Sequence, residues 1–421
     1  MLNPVDVDKT RRTPPPGFDP EYITAPPLID RPWMVQSLVL DVAGTCNMAC
    51  RYCAELITMP KRGPMSPETL DAAWKFLFPN GVKTISQEAL KNQMFSFHVG
   101  TGEPFLNFPL LQKLGKMVEQ ARSEGVENLR VFLTTNGNLL NEEIMDWLIA
   151  SQWNIKISFD GPAAIHDLWR VLPGGEGTYD QAAKALAYLA GRIPDRVTAC
   201  AVICRGADPA EVFDAVENLG VRTVDMASVA HRDESIIPGS EDIEKYRKFI
   251  MDYAARFLED DINDKKPPPM LTILNQYMMR LMGYKLGRAI CGAGRQYYAL
   301  GPEGDIYPCG RFIGVEKYRL GHIETGLDEE AIPAFRNEAG RTYERREACS
   351  YCWAAPLCCG PCYACSEMFG PGGGEPIDYQ CAYMLATAEA AQFLINQLRE
   401  NNPERLLMFM PQQGLQLLNL D

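Results

Sequence analysis

From Met34 to about residue 230 the chain alternates short apolar, strand-like runs with amphipathic helical stretches, and this alternation restricts the fold more than any other feature. Repeated β-α units build a parallel sheet, because a crossover helix is what returns the chain to start a parallel neighbour. Six strand-like runs are read, at 37–42, 95–99, 129–133, 155–159, 197–203 and 221–227. Six is fewer than the eight of a closed (β/α)8 barrel. The expected fold class is therefore α/β, an open, partial (β/α)6 TIM-like barrel with reactive loops at the C-terminal ends of its strands. The first helix of the barrel is expected over about 66–78, with Ser66 as N-cap and Pro67 as first helical residue.

The loop after the first run carries Cys46, Cys50 and Cys53 in Cys-Asn-Met-Ala-Cys-Arg-Tyr-Cys. Thiolates at this spacing converge on one metal centre, and three is one short of the four that normally hold a [4Fe-4S] cluster. The open iron is where chemistry starts. Zinc wants a fourth Cys or His, and the next one, His98, lies on a separate strand. A disulfide cannot satisfy an odd number of thiols in one short loop. Zinc and unliganded core cysteines stay as the bland alternatives.

Fourteen Cys in 421 residues, without a signal peptide or a membrane-length apolar run, point to a reducing compartment and a cytoplasmic location. A formal charge of -13 argues against a nucleic acid or an anionic membrane as partner. Residues 1–33 hold Thr13-Pro14-Pro15-Pro16, Pro26-Pro27 and Pro32, and are expected to be an extended wrap or linker with little regular structure.

The cysteine loop, Tyr52 before its third Cys, and Gly102-Glu103-Pro104 after the second strand together resemble the radical S-adenosylmethionine (SAM) enzymes, over about residues 34–230. The resemblance implies that the open iron chelates the amino and carboxylate groups of SAM, and that reductive cleavage yields a 5'-deoxyadenosyl radical in a site closed to water. It also implies cofactor contacts at Tyr52, Gly100, Thr101, Gly102 and Glu103, with Thr101 standing where the family pattern Gly-Gly-Glu-Pro has its first glycine. By the same resemblance Ser158 touches the ribose, Arg170 pairs with the carboxylate and Asn136 faces the cofactor. On the bland reading, Asn136-Gly137 is only a turn and Arg170 a surface residue.

Cys291 and Cys309 flank a stretch at 301–308 that reads as a β-hairpin with a Gly-containing turn, and Cys349, Cys352, Cys358, Cys359, Cys362, Cys365 and Cys381 follow. The Cx2Cx5Cx3C spacing with a distant Cys resembles the SPASM extension, which implies two auxiliary [4Fe-4S] clusters and three in all; zinc ribbons are the alternative. The resemblance assigns Cys349, Cys352, Cys358 and Cys381 to the outer auxiliary cluster. Cys291, Cys309 and Cys362 fall to the inner one, with Cys365 or Cys359 as a fourth ligand or with an iron left open to a substrate thiolate. Cys200 and Cys204 read as ordinary buried residues. The domains expected are the extension to 33, the barrel at 34–230, a helical bridge at 231–290, the SPASM domain at 291–395 and a tail at 396–421.

SPASM-bearing relatives mostly modify ribosomally made peptides or proteins. The resemblance implies a maturase that joins a carbon to a Cys sulfur as a thioether, acting on a Cys-containing precursor peptide with an external electron donor. A short Pro-rich segment supplies no leader-binding domain, so recognition is expected to fall to a separate leader-binding protein, to the bridge at 231–290 or to the substrate's own fold. The alternatives are a sulfatase-type maturase forming formylglycine, a carbon-carbon crosslink or an epimerisation, and, outside enzymes, a multi-cluster electron-transfer protein. Against the sulfatase type stands Gly310, where those relatives have an Asp after the hairpin Cys.

Overall fold

The computed structural model describes residues 4–18, 35–58, 62–85, 94–262, 267–282, 291–338 and 342–409. Six strands, β1 (Ser37–Leu40), β2 (Phe95–Val99), β3 (Leu129–Thr135), β4 (Asn154–Ser158), β5 (Val197–Ile203) and β6 (Thr223–Ser228), pair in chain order, every pair parallel. A short β7 (Met270–Leu271) adds to β6. Each expected strand lies within two residues of its observed bounds.

Parallel strands covered on both faces usually read as unbroken apolar runs. Here β4 and β5 alternate strictly between buried and half-buried positions. The buried set, such as Ile155, Ile157, Ala199 and Ala201, packs under the outer helices. The half-buried set, with Thr134, Ser158, Cys200 and Asp225, faces a lumen. On the outer face, the helix Pro67–Leu77 begins as expected: Ser66 Oγ accepts the Thr69 N–H at 3.1 Å, and Trp74 stacks on Phe97 of β2.

Beyond β1 the sheet does not stop. The strand β8 (Tyr297–Leu300) lies parallel beside β1 and turns into β9 (Asp305–Tyr307), followed by β10 (Gly321–His322) and β11 (Gly326–Leu327). The expected hairpin is present, but it joins the barrel sheet and does not stand apart from it. An unpaired edge on β1 would expose a row of N–H and C=O groups, and the hairpin removes it; the Asp41 N–H donates to Leu300 O at 3.0 Å, carrying the pairing past the strand end.

The helix Asp378–Asn401 runs through the boundary expected at 395/396 and packs against the helices Ser240–Ile262 and Thr272–Leu281. Tyr383 stacks on Tyr246 with ring centroids 4.3 Å apart, while Tyr246 and Thr387 share a hydrogen bond of 2.8 Å. Gln380 donates to Val229 O just beyond β6. This helix thus closes the side that six strands leave open.

The N-terminal expectation needs correction: Pro4–Arg12 is a helix. Its prolines cluster after it, at 14–16, where they end the helix and do not interrupt it. Residues 19–34, with the other prolines, lie outside the described residues. Among the described residues no helix is long and apolar enough to cross a membrane.

Candidate active site between the strand ends and the C-terminal helix

The loop after β1 is built by buried polar anchors. Asp41, fully buried, accepts from Gly44 N–H at 2.9 Å and from Arg62 at 2.6 Å. Further along, the N–H groups of Ala49 and Arg51 donate to Val171 O and Trp169 O. These bonds turn Cys46, Cys50 and Cys53 toward one cavity of about 530 Å³. Burial pushes the Cys46 thiol up to about 12 and raises Cys50 as well, so both hold their protons until a cation arrives. Metal binding to such thiols releases those protons.

Around the triad the expected contacts fall into two groups. Tyr52, Gly100, Gly102, Asn136, Ser158 and Arg170 line the cavity. Asn136 Nδ2 donates to Asn47 Oδ1 at 2.8 Å and stands 3.7 Å from Cys46 Sγ. Tyr52 donates to Asp160 at 2.6 Å and accepts from Arg170 at 2.5 Å. Arg170 is buried, its Nη1 is 3.9 Å from Asp160, and its Nε has no hydrogen-bond partner. The guanidinium of this buried residue lines the cavity and presents a cation to an anionic group there.

Thr101 and Glu103 do not line the cavity. Glu103 caps the turn Pro104–Asn107 and accepts from Thr135 Oγ1 and Asn136 N–H, each at 2.8 Å. It is a strut between the ends of β2 and β3, and burial lifts its carboxyl to about 6. Thr101 turns its hydroxyl toward the Cys309–Gly310 turn, where a β-carbon on Gly310 would lie 3.3 Å away. The substitution of Thr for glycine in the family pattern thus has a neighbour of its own in the hairpin.

Several residues of the site escaped the sequence reading. Glu55 accepts from Gly102 N–H at 2.8 Å, a role with no local signature. Cys200, taken for an ordinary core residue, faces the lumen in register between Ser158 and Asp225; its half-polar neighbourhood was readable only from the alternation in β5. Cys204 is buried in a small apolar cluster, as expected. Arg311, in the turn Gly310–Phe312, is exposed and its side chain lines the cavity. Cys365 first, then Cys362, Cys309 and Glu55, favour its charge.

The C-terminal cysteines form two groups. Cys349, Cys352, Cys358 and Cys381 surround one small cavity together with Arg11. Cys309 feels Cys362 and Cys291, and Cys365 shares a hydrogen bond with Cys362. That bond, with Arg311 beside it, holds Cys362 below the usual thiol range. Cys359 sits instead at φ 58° with its sulfur toward Pro356 O, near Arg280. Of the two residues left open for the inner group, Cys365 is the one brought to it. Among the described residues no group of three His, Cys, Asp or Glu is placed to hold a metal ion; thiols are the donors that iron-sulfur clusters take.

A partial parallel barrel with three convergent thiols at the top of its first strand defines the class. Residues 41–219 match the family model of the radical SAM superfamily, so the chain is an enzyme with a radical SAM domain over those residues, the family that binds a [4Fe-4S] cluster and SAM. It is similar to the cysteine-type anaerobic sulfatase-maturating enzyme of Clostridium perfringens, 23% identical over 82% of this chain and 92% of that one. It is also similar to the mycofactocin maturase MftC of Mycolicibacterium smegmatis, 24% identical over 79% of each. In fold it matches native anSMEcpe with bound AdoMet and Cp18Cys peptide, at a TM-score of 0.67 and 21% identity, covering 86% of this chain and 99% of that one.

Proposed function

We propose that the chain matures a peptide or protein substrate, holds three [4Fe-4S] clusters, and joins a Cys sulfur of the substrate to a carbon as a thioether. One observation carries this reading: Cys46, Cys50 and Cys53 open onto the same cavity as Cys362 and Cys365. When bound, the first cluster and SAM supply a 5'-deoxyadenosyl radical that takes hydrogen from an unactivated carbon. The chain's own residues do the positioning. The Arg170 guanidinium would meet the SAM carboxylate, Ser158 and Asn136 stand at the strand ends beside it, and Tyr383 and Met384 line the chamber from the C-terminal helix. On the far side the Arg311 cation stands beside Cys362 and Cys365, and it is the group suited to attract a substrate thiolate. Thioether formation takes one hydrogen atom from carbon to the deoxyadenosyl radical, releases the thiol proton and returns one electron, for which the auxiliary sites are the acceptor. Initial reduction falls to an external donor.

Formylglycine formation is the second reading. The sulfatase-maturating relative is matched over nearly its whole length, which favours it; Gly310 beside Cys309 supplies no carboxylate, which disfavours it. Anaerobic reconstitution with dithionite, SAM and a Cys-containing precursor peptide tests both. A product short of two hydrogens and lacking a reactive thiol supports the thioether; an aldehyde that reacts with a hydrazide supports formylglycine. Absence of 5'-deoxyadenosine sinks both. Replacing Cys46, Cys50 and Cys53 with Ala is expected to abolish 5'-deoxyadenosine while keeping the auxiliary iron.

A further inference from the structure

The N-terminal segment is a strap across the outer group of cysteines. Its backbone accepts from both donors of Trp353, Thr10 O from Nε1 at 2.9 Å and Arg11 O from N–H at 3.0 Å. Asp8 accepts from the Tyr351 hydroxyl, Arg12 lies 4.1 Å over the Tyr351 ring, and Phe18 meets Trp353 edge-on. Its far end reaches the long helix, where Gln392 donates to Gly17 O. The strap therefore ties the Cys349–Cys352 turn to the helix that carries Cys381.

Arg11 is the centre of this strap. It is only 6% exposed and lines the small cavity with Cys349, Cys352, Cys358 and Cys381. Its Nη2 donates to Asp378 at 2.9 Å, and Cys381 lines the same small cavity as the guanidinium. A buried cation is costly unless negative charge surrounds it, and Asp378 is itself half exposed. Four thiolates around iron supply that charge. Hydrogen bonds to the sulfurs of an iron-sulfur centre, and cations near it, favour its reduced form.

We propose that Arg11 is an outer-sphere positioning residue of the outer auxiliary centre, donating to the Cys381 sulfur and raising that centre's reduction potential. This rests on the assignment of Cys349, Cys352, Cys358 and Cys381 to a [4Fe-4S] cluster.

The test uses the full chain with Cys46, Cys50 and Cys53 replaced by Ala, so that only auxiliary centres remain, followed by EPR during an anaerobic redox titration. Arg11→Met is expected to move one auxiliary signal, and not the other, toward more negative potential, by at least a tenfold change in the reduced-to-oxidised ratio at fixed potential, about 59 mV for one electron. Arg11→Lys keeps the charge and is expected to restore most of the shift. Asp378→Asn loosens the guanidinium and is expected to move the same signal by less. A strap with a purely structural role predicts a lower melting temperature and less iron in Arg11→Met with both remaining potentials unmoved, and that result overturns the proposal. Should Arg11→Met retain no iron, Asp378→Asn against the parent decides by the same criterion. If the parent holds no auxiliary iron, the cluster assignment fails, and this inference with it.

Discussion

At Gly102 the backbone leaves no choice of residue. Its φ of +64° is left-handed, and a β-carbon there would lie 2.2 Å from Thr45 O in the loop that carries Cys46. The left-handed conformation alone costs an L-residue about 1–2 kcal/mol, and the clash adds displacement of the loop. Gly102→Ala is expected to lower cluster iron and 5'-deoxyadenosine together, which iron assay and chromatography measure. Glu103 carries a different cost. Its folded pKa is about 6 against 4.5, because burial outweighs the bonds from Asn136 and Thr135. The folded chain binds this proton more tightly than the unfolded one, so the contribution is best below pH 4.5 and declines as pH rises through 6, by about 2 kcal/mol. Glu103→Gln is expected to flatten that part of the pH dependence, read as denaturation midpoints of the apo chain on either side of the window. The motif Gly102-Glu103-Pro104 was legible in the sequence; that Glu103 braces β3 and stays out of the cavity was not, since its partners Thr135 and Asn136 lie more than thirty residues away.

Among the elements, local periodicity located the six barrel strands and the helix starting at Ser66. What it missed is how the hairpin β8–β9 is used. Tyr298 of β8 is fully buried, pairs beside Leu38 of β1 and donates from its hydroxyl to Gly294 O at 3.2 Å. Because β8 continues the barrel sheet, the hairpin and the barrel are expected to unfold together. Tyr298→Ala is expected to cost on the order of 3 kcal/mol in a single cooperative transition followed by circular dichroism; a separate early transition from the C-terminal part would contradict this coupling. Along β5 the same periodicity held an unread signal: alternation on a parallel strand means an open face, and it places Cys200 in the chamber.

Taken whole, the molecule makes one chamber from parts distant in sequence: the cysteine loop, the strand ends, the hairpin Arg311, and Cys362, Cys365 and Tyr383 from the C-terminal third. The sequence by itself determined the strand-helix alternation, the CxxxCxxC triad and the two clusters of later cysteines, because periodicity and ligand spacing are properties of near neighbours. Only the tertiary structure decided that Cys365 and not Cys359 lies beside Cys362, that the hairpin extends the barrel, and that a Pro-rich start folds into a helix. The last depends on contacts such as Asp8 with Tyr351, 343 residues apart. Contacts at that range follow from how helices and sheet pack, and no local pattern encodes them.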